Sequence, residues 1–366
     1  MKLEFNKKNI ESGVQKATRL AGKHLTLPVL ACIFIETQGN NDVVLKSTNL
    51  DLGLEIKIKG KVLEEGYVCV PANILNSVLS SIKDDVVYFE KKGENLVIKT
   101  KNNSSVIKCM PSEDFPTIPK LKETDVIKIN FNDLMLGFRS VWYSASNSSI
   151  KPELGSIFIY KGDKGLVFVS TDSFRLAEKT INTKTPSNFP SILIPYKNAV
   201  EIVKIFEDLN GEIEILFDKN QIALLKNDIY VVSRLIDGNF PDYKQIIPKS
   251  FITTATVLKN DLINGIKTSN IFSDNLNQIK IHADVKNKHL EIESKNNDVG
   301  EYKEEIKATT EGESIELNFN NRYVTECLQS IVSESVDLNF AGIGKPLMIN
   351  GASDKSFVYI VMPMNR

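Results

Sequence analysis

The chain repeats itself, and that repeat limits what it can fold into. Three stretches align without a gap: VPANILNSVLSSI from Val70, IPYKNAVEIVKIF from Ile194 and FNNRYVTECLQSI from Phe319. Their starts lie 124 and 125 residues apart. Apolar positions coincide at Leu75/Ala199/Val324, Val78/Ile202/Cys327, Leu79/Val203/Leu328 and Ile82/Phe206/Ile331. This i, i+3, i+4, i+7 stripe is the buried face of an amphipathic helix, written three times. A second helix repeats as Ile10, Val14, Ala17, Ala21 and as Leu134, Phe138, Val141, Ala145, and Leu262 and Ile266 open its third copy.

Strands fill the rest of each copy. Leu50, Leu52, Leu54, Ile56 and Ile58 alternate with polar residues, the period of a half-buried strand. Each second helix is followed by a β-rich run: VVYFE from Val86, IEILF from Ile213, VDLNF from Val336. Closing strands then lead into Phe115-Pro116 and Phe240-Pro241, and the third such strand is the chain's own end, YIVMPM, with Met362-Pro363. The expectation is an α+β protein of three repeated domains, each with two helices packed on β-sheet. They span residues 1–122, 125–247 and 248–366, with linkers near 121–125 and 248–253, where Pro, Lys and Thr interrupt the pattern.

Composition narrows the function. With 42% hydrophobic residues, each domain has enough apolar side chains for a core. Formal net charge is −1, which gives no global basic signature. No stretch approaches the ~20 apolar residues that span a bilayer. MKLEFNKKN lacks the apolar core of a signal peptide. Cys32, Cys69, Cys109 and Cys327 form no CxxC pair. These features point to a reduced, cytoplasmic protein away from membranes.

Catalytic signatures are missing from the sequence. His282 and His289 stand seven apart in IHADVKNKHLEI, a spacing that fits no metal motif, so neither metal nor cofactor is expected. Ser170, Thr171, Asp172 and Ser173 are polar enough for a site, but no partner base is nominated. GIGKP at 342–346 lacks the Walker spacing. Basic residues do fall on repeated helices: Lys16, Arg19 and Lys23; Lys197 and Lys204; Arg139, Lys267 and Arg322. Equivalent helices in equivalent positions could bring such charges to one phosphate-binding surface that reads no bases. A repeat-built binding protein that forms no ring, and an enzyme using the Asp172 region, are the competing readings. Solution mass separates the first, and an Asp172 substitution the second.

LTLPVL (25–30), VPANIL (70–75), MPSEDFP (110–116), STDSFRLA (170–177), LIDGNFPDYKQIIP (235–248), LNFNNRYV (317–324) and YIVMPM (359–364) occur in this order and spacing. Together they resemble the bacterial DNA polymerase III beta subunits, the sliding clamps, along the whole chain. The resemblance implies three clamp domains per chain and a head-to-tail homodimeric ring of six domains around double-stranded DNA. It implies helices lining the hole and no catalysis. A clamp loader would open the ring. The replicative DNA polymerase, repair proteins and other proteins with a clamp-binding motif would attach through peptides.

By the same resemblance, the peptide pocket comprises Leu154, Thr171, Ser173, Phe174, Arg175, Leu176, Pro241, Gln245, Ile246, Ile360, Met362, Pro363 and Met364, with Arg175 and Gln245 offering polar contacts. Lys23 and His24, with Asn73 and Ser148, would touch DNA, and Arg139, Lys197 and Arg322 would add positive field. Ser105 and Ile107, on the edge strand 104–109, would meet Ile271 and Phe272 of the other subunit. Ile271 and Phe272 also look spare on the sequence, because they follow a helix that already has its core stripe. Three departures from familiar members stand out: Ser173-Phe174 for Gly-His, Lys23-His24 for arginine, and Gln245 for a basic residue.

Overall fold

A computed structural model describes residues 1–22, 27–39, 41–122, 126–148, 150–185 and 189–364. One pattern, strand–helix–three strands, recurs six times, twice in each sequence repeat. The first copy is β1 (Lys2–Asn6), α1 (Lys7–Thr18), β2 (Cys32–Gln38), β3 (Asp42–Thr48) and β4 (Leu52–Lys59), with β5 (Lys61–Glu64) continuing past Gly60. The second is β6 (Tyr67–Pro71), α2 (Ala72–Ser81), β7 (Val86–Lys92), β8 (Asn95–Lys99) and β9 (Ser104–Lys108). The third is β10 (Ile127–Asn130), α3 (Phe131–Val141), β11 (Ser156–Gly162), β12 (Gly165–Thr171) and β13 (Arg175–Ile181). The fourth is β14 (Ile192–Pro195), α4 (Tyr196–Phe206), β15 (Glu212–Asp218), β16 (Gln221–Lys226) and β17 (Ile229–Arg234). The fifth is β18 (Thr253–Leu258), α5 (Lys259–Ser269), β19 (Gln278–Asp284), β20 (His289–Asn296) and β21 (Gly300–Gly312). The sixth is β22 (Ile315–Asn320), α6 (Asn321–Leu328), β23 (Ser335–Phe340), β24 (Leu347–Gly351) and β25 (Phe357–Val361).

The helix stripes are buried as their periodicity requires: Leu75 and Leu79; Ala199, Ile202, Val203 and Phe206; Val324, Cys327 and Leu328. Asn6 caps α1 by accepting from the Lys8 N–H, and Asn320 caps α6 by accepting from Arg322 and Tyr323. Three positions depart from the periodic reading. Ala21 lies beyond α1, which ends at Thr18, and Ala145 follows a 3-10 turn after α3. Leu50 is exposed with φ of 77°, in a turn where the Asn49 carboxamide oxygen accepts from the N–H groups of Asp51 and Leu52. The strand therefore starts at Leu52, and alternation alone overran the turn.

The described chain forms two compact bodies, residues 1–131 with 197–235 and residues 132–196 with 236–366. The first holds a sheet ordered β5-β1-β7-β8-β9 and another ordered β10-β15-β16-β17-β4-β3-β2-β6. The second holds one sheet, β14-β11-β12-β13-β25-β24-β23-β18-β21-β20-β19-β22. In every repeat the two halves exchange their first strands. β6 joins β2 and β1 joins β7; β14 joins β11 and β10 joins β15; β18 joins β23 and β22 joins β19.

Repeats are joined by a second kind of pairing. β17 runs antiparallel to β4, from Ile229↔Ile56 to Ser233↔Leu52. β25 runs antiparallel to β13, from Val361↔Arg175 to Phe357↔Lys179. Each joint sets the last strand of one repeat against the fourth strand of another repeat's first half. One such pair of edges is left over. β9 has only β8 beside it among the described residues. Residues 300–307 of β21 pair with β20 alone, because β18 takes residues 308–312.

Candidate functional site

The chain end is fixed by main-chain hydrogen bonds. Beyond β25, the Met362 N–H donates to the Phe174 carbonyl (2.9 Å) and the Met364 N–H to that of Asn318 (2.8 Å). The loop it meets, residues 171–175, is tightened by its own side chains. Asp172 Oδ1 accepts from the N–H groups of Phe174 (2.9 Å) and Arg175 (3.0 Å), and Thr171 Oγ1 accepts from that of Ser173 (3.2 Å). Ser173 takes the left-handed φ of 79°, which turns Phe174 outward, 62% exposed.

Leu176 and Ile360 face each other across β13 and β25 and are buried with Val167, Val169 and Tyr243. Phe240, Ile247 and Met348 pack against this cluster. The Tyr243 hydroxyl bonds Tyr160 (2.8 Å) and Glu178, which fixes the 3-10 turn Tyr243–Ile246 over the sheet. Burial, together with those two hydrogen bonds, pushes its pKa well above the usual tyrosine value. Residues adjoining the cluster in sequence remain in water: Phe174, Ile246 and Met362 are exposed, and Pro363 and Met364 half-buried. Pro241 and Gln245 are also exposed, and Gln245 donates to Asp242 (2.7 Å). Leu154 is buried, its carbonyl accepting from the Ser146 N–H.

Arg175 corrects the expectation of a polar contact for a ligand. It precedes Leu176 on β13, so the two side chains leave opposite faces of the sheet. Its Nε donates to Asp172 Oδ2 (3.0 Å) and its terminal nitrogens to Glu326 and the Tyr143 carbonyl. The guanidinium sits 4.2 Å from the Tyr323 ring centre. Burial disfavours its charge, but Tyr359, Glu326 and Asp172 outweigh that and hold its pKa above the ordinary arginine value. At 8% exposure Arg175 is an internal tie between the 171–175 loop and α6. Sequence reasoning missed its partners Tyr143, Tyr323 and Glu326; the i, i+3 spacing of the last two on α6 was the available signal.

The subunit-contact residues divide. Val106 on β9 is 64% exposed and Ser105 half-buried, but Ile107 is buried in its own domain. Ile107 is therefore corrected to a core residue, because alternation along β9 turns it inward. Ile271 is 66% exposed. Phe272 is not spare: its ring stacks on Tyr302 (5.9 Å between centres, 6° between planes), beside the open half of β21. That half-strand escaped sequence reading because GEYKEEIK carries charge on both faces.

Of the expected DNA contacts, Lys23 and His24 lie outside the described residues. Asn73 on α2, Ser148, Arg139 on α3 and Lys197 on α4 are exposed. Arg322 is exposed but paired with Glu326 (2.7 Å). Lys16 and Arg19 are committed within their own body. Lys16 caps the end of α4 at the Ile205 carbonyl (2.6 Å) and pairs with Asp208, and Arg19 pairs with Glu201 (2.9 Å).

Three tandem α+β repeats with exchanged strands and inter-repeat joints define a clamp-type architecture. Family models for the DNA polymerase III beta subunit match its N-terminal domain at residues 1–119, its central domain at 128–242 and its C-terminal domain at 244–365. The chain belongs to the DNA polymerase III beta subunit family, the sliding clamps, which are non-catalytic processivity factors of DNA polymerase. It is 27% identical to the beta sliding clamp of Rickettsia felis, over 100% of this chain and 99% of that protein. Solved structures share the fold. The DNA polymerase sliding clamp of Bacillus subtilis superposes with a TM-score of 0.93 at 22% identity, covering 100% of this chain and 99% of that one. The Pseudomonas aeruginosa clamp bound to griselimycin superposes with 0.92 at 22% identity, covering 100% of both chains. Among the described residues no helix is long and apolar enough to cross a membrane.

Proposed function

We propose that the exposed side chains of Phe174, Ile246 and Met362, with Pro363 and Met364, receive extended apolar peptides of the polymerase, the clamp loader and repair proteins. One observation carries this reading. Main-chain bonds fix the loop and the chain end against each other, yet their largest apolar side chains stay in water. Methionine suits a surface that accepts several partners, because it is flexible and polarizable. Gln245, Pro241 and Ser173 would rim this surface, and Thr171, Leu154, Leu176 and Ile360 would form its floor.

Two such chains would close head to tail, β9 of one against residues 300–307 of the other, repeating the joints that β17–β4 and β25–β13 make within a chain. A closing head-to-tail join gives a two-fold dimer, and pairing removes two exposed sheet edges. The domains would be residues 1–122, 125–247 and 248–366. Double-stranded DNA would pass through the ring near Arg139, Lys197, Arg322, Asn73 and Ser148, with Lys23 and His24, in the cytoplasm.

Deleting residues 362–366 tests the peptide site. A peptide from the polymerase should lose binding by fluorescence anisotropy while dimer and melting temperature stay nearly unchanged. Wild-type affinity, or an unfolded truncated chain, would make the tail structural.

A further inference from the structure

Seven residues separate His282 from His289, but strand register brings them together. β19 and β20 pair Asp284 with His289 and His282 with Glu291, so both imidazoles leave one face of the sheet. The opposite face is core: Ile279, Ile281, Ala283, Leu290 and Ile292 are buried. β21 sets Glu305 opposite Glu291, and β22 sets Glu316 opposite His282. Donor atoms of His289, Glu291 and Glu305 all lie within 4.8 Å of one another. The Asp284 carboxylate is 4.0 Å from His289 Nε2.

This arrangement is costly by itself. Like charges directly opposed across strands destabilise a sheet. Lys303 pairs with Glu291 at 2.7 Å, but no cation lies within ion-pair distance of Glu305 among the described residues. Glu291 is only 9% exposed, so its carboxylate is held in place before any ligand arrives. An imidazole and two carboxylates suit a borderline divalent ion, and three protein ligands leave room for water. Asp284 can orient the imidazole from outside the coordination sphere.

We propose that this face of β19, β20 and β21 binds a divalent transition-metal ion of the zinc class through His289, Glu291 and Glu305. The ion competes with the Lys303 ammonium for Glu291, so Lys303→Met strengthens binding.

Zn2+ titrated into the protein against a chromophoric chelator tests this. Glu305 is exposed, so Glu305→Gln threatens the fold little, and His289→Gln removes the imidazole. Each should weaken one zinc site per chain by at least about tenfold, with melting temperature in the absence of zinc as the control for folding. Unchanged affinity in either folded variant, or no saturable binding to the wild-type protein, overturns the site and places any bound zinc on the thiols or on scattered surface carboxylates.

Discussion

Arg175 has three anionic or carbonyl partners and two aromatic neighbours, and almost none of it reaches water. Arg175→Ala leaves Asp172 without its cation and Glu326 with the exposed Arg322 alone, and breaking such a pair costs about 3 kcal/mol. Urea unfolding should show that loss, whereas a value near zero would mean that the carboxylates find water. Ser173 has the opposite balance. Its left-handed backbone costs a non-glycine residue about 1 kcal/mol, partly offset by glycine's larger unfolded-state entropy. Ser173→Gly should therefore leave stability unchanged or raise it slightly, and a clear loss would show that the serine side chain contributes. The resemblance implied that glycine is familiar here but not why, because φ is a property of the folded loop. A third residue gives the acid limb its slope. Burial disfavours the charge of Asp354, but the Ser356 hydroxyl and N–H and the Lys179 ammonium outweigh it and hold its pKa below the ordinary aspartate value. With the folded pKa below ~3.9, the unfolded value, its stabilisation is present above about pH 4 and is lost as pH falls through the folded pKa. Asp354→Asn should flatten the fall of melting temperature below pH 4, leaving a smaller difference between pH 3 and pH 5.

The helices were legible because a helix writes its buried face locally, every third or fourth residue. The strands were legible one at a time but not as sheets. First strands are exchanged between halves, so partners such as β1 and β7 sit some 80 residues apart with the other half's helix between them, and a period of two says nothing about which edge pairs. That is why three repeats were visible and six halves were not, and why the open half of β21 went unseen while β9 was found. The two edges now make a specific expectation. Ile271→Ala with Phe272→Ala removes an exposed side chain and the ring stacked on Tyr302, beside that half-strand, without touching the α5 core stripe of Leu262 and Ile266. The double variant should sediment as a folded monomer at nanomolar concentration, and a persistent dimer would refute the assignment of this edge. Ile107→Ala should behave differently. Its side chain is in the core, so it should cost about 3 kcal/mol in domain stability and affect assembly only through that loss.

At the scale of the molecule, a net charge of −1 argues against attachment to DNA by affinity. Lys16, Arg19 and Lys204 have acidic partners, so fewer helix cations are available than the sequence count suggests. Arg139 and Lys197, by contrast, have no acidic group within ion-pair distance among the described residues. Phosphate contact through so few charges must be weak and easily screened, since log K falls with log salt by about 0.9 per neutralised phosphate. A ring holds DNA for a different reason: a closed protein cannot leave a closed circle, whatever the contact energy. Salt and topology therefore separate the two accounts. Once loaded on nicked circular DNA, the protein should elute with it in gel filtration at a salt concentration that abolishes equilibrium binding to a short duplex. A single cut in the circle should release it within the time needed to slide off an end. Arg139→Gln with Lys197→Gln should weaken the short-duplex binding and change retention on the circle little. Release from the intact circle by salt alone would mean that affinity, not encirclement, holds the chain on DNA.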